Sequence, residues 1–183
     1  MSEKDEAGFR DLIDYLKGLD TDQVEHTDGT FLAHLASVYR DMKAWGADEE
    51  LSRAALFHSI YGTELFQKFK LSLDRRGEVR DLIGERAERL AYLNCAIHYD
   101  SFDREVERGE APFGMLDRFA DKEVDLTPED FEDLCRIQLC DRLEQLPRSK
   151  HWDFRRESYR RMADRLGGVA AEAYEKVWAL ETA

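Results

Sequence analysis

Proline, glycine and cysteine are all scarce in this chain: three, eleven and three residues respectively. With so few breakers, little interrupts long helical stretches. The cysteines, Cys95, Cys135 and Cys140, are odd in number, and they lack the Cys-x-x-Cys spacing of a zinc knot. They read as reduced thiols of the core. No run approaches the ~18 uncharged apolar residues that a membrane span needs. Positive charge is also short, with 27 Lys and Arg against 40 Asp and Glu, a net charge of −13. That balance argues against general nucleic-acid binding, which needs a basic face, and against docking on anionic lipid. The opening Met1-Ser2-Glu3-Lys4-Asp5-Glu6 is too acidic for a signal or transit peptide, so a cytoplasmic location is expected. Internal repeats, low-complexity linkers and alternating strand patterns are missing too.

What is present is helical. The 183 residues are 43% apolar and 37% charged, the balance of an ordinary folded protein. Phe9, Leu12, Ile13 and Leu16 repeat at helical spacing within Glu6 to Leu19. After a polar segment from Asp20 to Gly29, a second helix is expected over Thr30 to Trp45, with His34 on its apolar face. Asp48 is placed to cap a third, which carries His58 and breaks at Gly62. Thr63 is expected to cap a short successor through Phe69. The stretch Leu71 to Arg76 reads as a loop, followed by helical turns at Val79 to Ile83 and a strong helix from Glu85 to His98. Within that helix Glu85, Arg86, Glu88 and Arg89 read as a solvated surface. Asp100 to Leu126 reads as an irregular excursion with a short helix near Met115 to Ala120. Thr127-Pro128-Glu129-Asp130 is a clear helix start. That helix carries Asp141 and stops at Pro147; two more runs cover Asp153 to Leu166 and Gly168 to Leu180. Residues 1–183 therefore read as a single all-α domain.

Two imidazoles and a carboxylate on apolar helix faces, His34, His58 and Asp141, are a ligand set for one divalent metal with open positions for water and substrate. Glu64 follows the Gly62 break, where a turn back toward the pocket would let it ligate metal or act as general base. His26, Ser59 and Tyr61 are further candidates for metal or substrate. Arg75 and Arg76 offer guanidinium groups for an anionic substrate. Lys150, His151, Arg155 and Arg156, interleaved with Trp152 and Phe154, read as a contact with a partner helix or a second subunit, which leaves homo-oligomerisation open.

These residues also resemble a known family. A His about 25 residues before a second His, with a distant Asp on a later helix, resembles the HD superfamily, whose pattern is H…HD…D. The stretch FLAHLASVYRDMKAWGADEELSRAALFHS resembles the segment of (p)ppGpp-hydrolase-type HD domains that holds the first His and the doublet. LCDRLEQL resembles the segment around their last metal-binding Asp. The string Phe57-His58-Ser59-Ile60-Tyr61-Gly62-Thr63-Glu64, with LIGERAERLAYL downstream, resembles a divergent bacterial subfamily. The likeness covers about Asp28 to Arg148. It implies a single compact HD-like helical bundle in which His34, His58 and Asp141 bind metal (Zn, Mn or Fe). Ser59 stands where the family has the doublet Asp, which puts a dinuclear site in doubt. The resemblance implies a metal-dependent hydrolase of a phosphate ester or small nucleotide. Its alternatives are a non-haem iron oxygenase of the HD fold and a catalytically silent binding module. In the family, acids just after the doublet serve catalysis, a position that Thr63-Glu64 echoes; a basic residue near His26 contacts the base, and in the oxygenases extra His residues complete a two-iron site.

Overall fold

Helix α2 (Phe31–Ala44) begins where Thr30 accepts a hydrogen bond from the Ala33 amide, and it buries Phe31, His34, Leu35, Val38 and Met42. Helix α1 (Glu3–Lys17) precedes it, lodging Leu12 and Leu16 in the core. The computed structural model describes residues 3–27 and 29–181. Asp28, where the resembling stretch begins, and Met1 and Ser2 of the acidic start lie outside them. Between α1 and α2 a minimal antiparallel pair forms, β1 (Glu25–His26) and β2 (Gly29–Thr30), inside the segment expected to be only polar.

Helix α3 (Glu49–Leu56) is capped by Asp48, whose carboxylate takes the Leu51 amide at 2.7 Å. It stops earlier than expected. Phe57 to Tyr61 continue as turns, so His58 and Ser59 lie beyond the helix end, and Gly62 adopts a left-handed φ of +78°. A side chain there would also meet the Lys70 methylenes, at 2.6 Å from a Cβ. Thr63 caps no helix; its hydroxyl accepts from the Phe66 amide and closes one turn. The expected loop at Leu71 to Arg76 contains a 3-10 turn (Leu73–Arg75), which runs straight into α4 (Arg76–Ile83), and α5 (Glu85–Ala96) follows.

The largest departure from the expected chain course is in 100–126. Helix α6 (Tyr99–Arg108) leads into an antiparallel hairpin, β3 (Phe113–Asp117) and β4 (Lys122–Leu126), in place of a helix at Met115 to Ala120. Phe113, Met115 and Asp117 alternate inward along β3. Asp117 makes the turn by accepting the Phe119 and Ala120 amides, and Phe113 stacks on Phe131 at 3.9 Å. Helix α7 (Pro128–Gln145) starts at Thr127 as expected and is buried on nearly every side, among α2, α5, α8 (Arg156–Leu166) and α9 (Gly168–Trp178). The described residues are thus mainly helical, with two small sheets and one continuous apolar cluster running from α1 to α9. Cys95, Cys135 and Cys140 are buried and unbridged, and burial pushes the Cys95 and Cys135 thiols up to about 12. Among the described residues no helix is long and apolar enough to cross a membrane.

Candidate metal centre

His34 comes from the second turn of α2, His58 from the turn after α3, and Asp141 from α7. Their ligand atoms meet. His34 Nε2 lies 3.1 Å from Asp141 Oδ1 and 3.3 Å from His58 Nε2, and His58 Nε2 lies 3.3 Å from the same Asp141 oxygen. Two atoms bound at about 2.0–2.1 Å to one tetrahedral ion are about 3.3 Å apart, so this triangle has the edge length of three ligands on a common metal.

Each ligand is oriented from behind. Glu144 Oε2 sits 2.7 Å from His34 Nδ1, and His58 Nδ1 donates to the Ala55 carbonyl at 2.7 Å. These bonds place a proton on each Nδ1 and direct both Nε2 atoms into the triangle, the arrangement that metal-binding histidines use. Gln145 Nε2 donates to Asp141 Oδ1 at 2.6 Å. Burial opposes charge on His34, but hydrogen bonds with Asp141 and Glu144 raise its pKa to about 9. Burial also opposes charge on Asp141, yet the imidazoles of His58 and His34 hold its carboxyl well below the usual range. With a proton on His34 Nε2, the triangle is a closed ion pair. With that proton lost, it presents two nitrogen lone pairs and a carboxylate to a cation.

Asp141, the partly exposed member of the triangle, lines a cavity of about 710 Å³ together with Ser59, the rings of Phe66, Tyr99, Phe154 and Tyr159, and a group of basic side chains. His26 forms part of the wall. The β1–β2 turn lays its ring on His34, centroids 4.3 Å apart and nearly parallel. Burial, and then the charge on His34, push its pKa down to about 4, so at neutral pH it is an uncharged acceptor.

Other residues expected at the site go elsewhere. Glu64 Oε2 accepts the Tyr99 amide at 2.7 Å and caps α6, away from the cavity lining. Tyr61 and Arg76 both bind Glu88: the tyrosine hydroxyl donates at 3.0 Å and the guanidinium spans both carboxylate oxygens at 2.6 and 3.0 Å. Glu88 is therefore buried, not part of a solvated face. Arg75 pairs with Glu78 at the surface. Neither arginine lines the cavity. From the late basic stretch, Lys150 and His151 do line it, while Arg155 sits in a left-handed conformation (φ 49°) and binds Asp103.

Two groups at the site escaped the sequence reading. Glu144 is three residues after Asp141, hence on the same helical face, but its i+4 pairing with Arg148 has the form of a surface ion pair. Arg142, adjacent to Asp141, is buried against the cavity, and burial pushes its guanidinium below its ordinary range.

Residues 15–99 match a family described as a domain of unknown function, DUF6817. The matched segment is just under half of the chain; it includes His26, His34 and His58 and stops before Asp141. No curated protein and no solved structure matches the chain.

Proposed function

We propose that this protein is a metal-dependent hydrolase of small phosphate esters, a divergent HD-type domain spanning residues 1–183 and working in the cytoplasm. One observation carries the reading: three converging ligand atoms at 3.1–3.3 Å, each held from behind, of which Asp141 lines a cavity whose other charged side chains are basic. His34, His58 and Asp141 would hold one divalent ion. Such an ion supplies a water of lowered pKa and a Lewis acid for a phosphoryl oxygen. Glu144 and the Ala55 carbonyl keep the imidazoles aimed. Arg148 and Lys150 offset the substrate's charge at the mouth. Uncharged His26, on the cavity wall, accepts a hydrogen bond from water or a substrate hydroxyl. Ser59 adds no charge where a doublet acid would, which supports one metal rather than two.

A second reading has its own observation. Because His34 is hydrogen-bonded to two carboxylates, the triangle is electrostatically closed by a proton alone, as suits a metal-free binding module. Elemental analysis of freshly purified protein, paired with hydrolysis of a chromogenic phosphate monoester, separates the readings. The hydrolase reading expects close to one equivalent of zinc or manganese and activity that His58→Ala abolishes. Iron with oxygen consumption and no phosphatase activity would favour the oxygenase. Metal retained only by Ser59→Asp would favour the binding module.

A further inference from the structure

Arg142 is a buried cation with little to hold it. It is 9% exposed, and among the described residues it has no ion pair with a carboxylate. Its Nη2 donates to the His151 carbonyl, and its Nε–H has no acceptor. Asp141 beside it is already taken by His34, His58 and Gln145. Other arginines drawn into the fold are matched: Arg76 by Glu88 and Arg155 by Asp103. A guanidinium removed from water without a counter-charge is strongly unfavourable, so its place on a cavity wall calls for an anion from outside.

The surroundings agree. Arg148, paired with Glu144 at 2.6 Å, and Lys150 line the same cavity, and Lys150 has neither ion pair nor hydrogen bond among the described residues. Among the described residues Asp141 is the one carboxylate that lines the cavity, in a chain of net charge −13. The recess is thus positive within a negative molecule, and such a field gathers anions. Four aromatic rings, those of Phe66, Tyr99, Phe154 and Tyr159, are part of the wall, Phe154 and Tyr159 each with a centroid 5.7 Å from the Arg142 guanidinium carbon. A volume of about 710 Å³ suits a small molecule.

We infer that the cavity binds a small oxyanion carried on a flat aromatic body, its oxygens meeting the Arg142 guanidinium and the Lys150 ammonium and its ring lying among Phe66, Phe154 and Tyr159. The oxyanion is a phosphate or a carboxylate, which share this chemistry. No atom of the His34–His58–Asp141 triangle is used, so the inference stands whether or not a metal binds there.

The test is calorimetric titration of the full chain, treated with chelator, with phenyl phosphate, phenylacetate, inorganic phosphate and phenol. At least one aromatic anion binds, and the tighter of the two names the oxyanion; inorganic phosphate and phenol each bind at least about tenfold more weakly. Arg142→Met keeps the bulk and removes the charge. It weakens the aromatic anion about tenfold or more while the urea midpoint stays or rises, whereas loss of a purely structural arginine would lower the midpoint. Lys150→Glu, on the exposed rim, weakens binding by about fivefold or more and decides the matter if Arg142→Met does not fold. Phenol binding as tightly as the anions, no binding of either aromatic anion to the unsubstituted protein, or unchanged affinity in Lys150→Glu would overturn the inference.

Discussion

The Glu88 cluster and the Asp141 cavity both bury charge, and they treat it in opposite ways. Glu88, 1% exposed, is closed on all sides: Arg76 grips both oxygens, Tyr61 donates to one of them, and the Arg76 guanidinium lies 3.6 Å from the Tyr92 ring centre. Nothing is left to offer a ligand. At Asp141 the charges are only partly matched, two imidazole nitrogens converge with a carboxylate oxygen, and a buried guanidinium keeps a donor free beside an open cavity. A satisfied buried ion pair holds structure together. An incompletely satisfied one beside a cavity is costly to stability, and that cost is retained where a ligand completes it.

The sharpest way to break this contrast is to unpair the closed cluster. Arg76→Ala combined with Arg80→Ala, whose guanidinium lies 3.7 Å from Glu88, leaves a carboxylate in the core and should cost about 3–5 kcal/mol in urea unfolding. A loss below about 1 kcal/mol would show that water reaches Glu88 and that the cluster is not closed. At the open site the support shell can be weakened without touching a ligand. Glu144→Gln retains an acceptor for His34 Nδ1 but removes the charge, and zinc affinity should fall by about 10- to 100-fold, read by competition with a chromogenic chelator. Equal affinity in the two proteins would leave Glu144 as no more than the partner of Arg148. The smallest effect is at the periphery. Burial works against the charge on Asp130, yet hydrogen bonds from Arg89 and Thr127 hold its carboxyl below the usual range. A carboxyl lowered by folding adds stability above its unfolded value, near pH 4, and loses it as pH falls through its folded value. Because Arg89 is exposed, Arg89→Met should cost only about 0.5–1 kcal/mol at pH 7, and that gap should close as pH drops below about 4. A gap that widens in acid would contradict the sign.

Much of the helical frame was legible because its signals are local. Asp48 and Thr127-Pro128 each announce a helix start within four residues, and each caps as expected, while Thr30 caps the helix that was expected to begin with it. The β3–β4 hairpin was not legible, because what fixes it is distant: Phe113 needs Phe131, and Asp117 needs the Tyr92 hydroxyl. Read alone, Phe113-Gly114-Met115-Leu116 has no clear period. His34, His58 and Asp141 stood out as polar residues on apolar faces, and they do come together. Glu88 misled for the converse reason: runs of alternating charge look solvated, and only the tertiary fold shows that it turns inward to Arg76, which was expected to hold a substrate anion. Arg142 was hidden in the same way, as one more charge in the string that follows Asp141.

One chain of contacts behind the cavity has a mechanical meaning. The His58 carbonyl accepts from Asn94, whose side-chain oxygen accepts from Gln138, whose own oxygen accepts from Arg155, which grips Asp103. Arg155 holds a left-handed backbone at the entrance to α8 and lies 4.1 Å from the Tyr99 ring centre. Tyr99 on the cavity wall and the peptide that carries His58 are thus the two ends of one unbroken run of contacts. Rim and floor are thereby tied to one polar frame rather than to two separate ones.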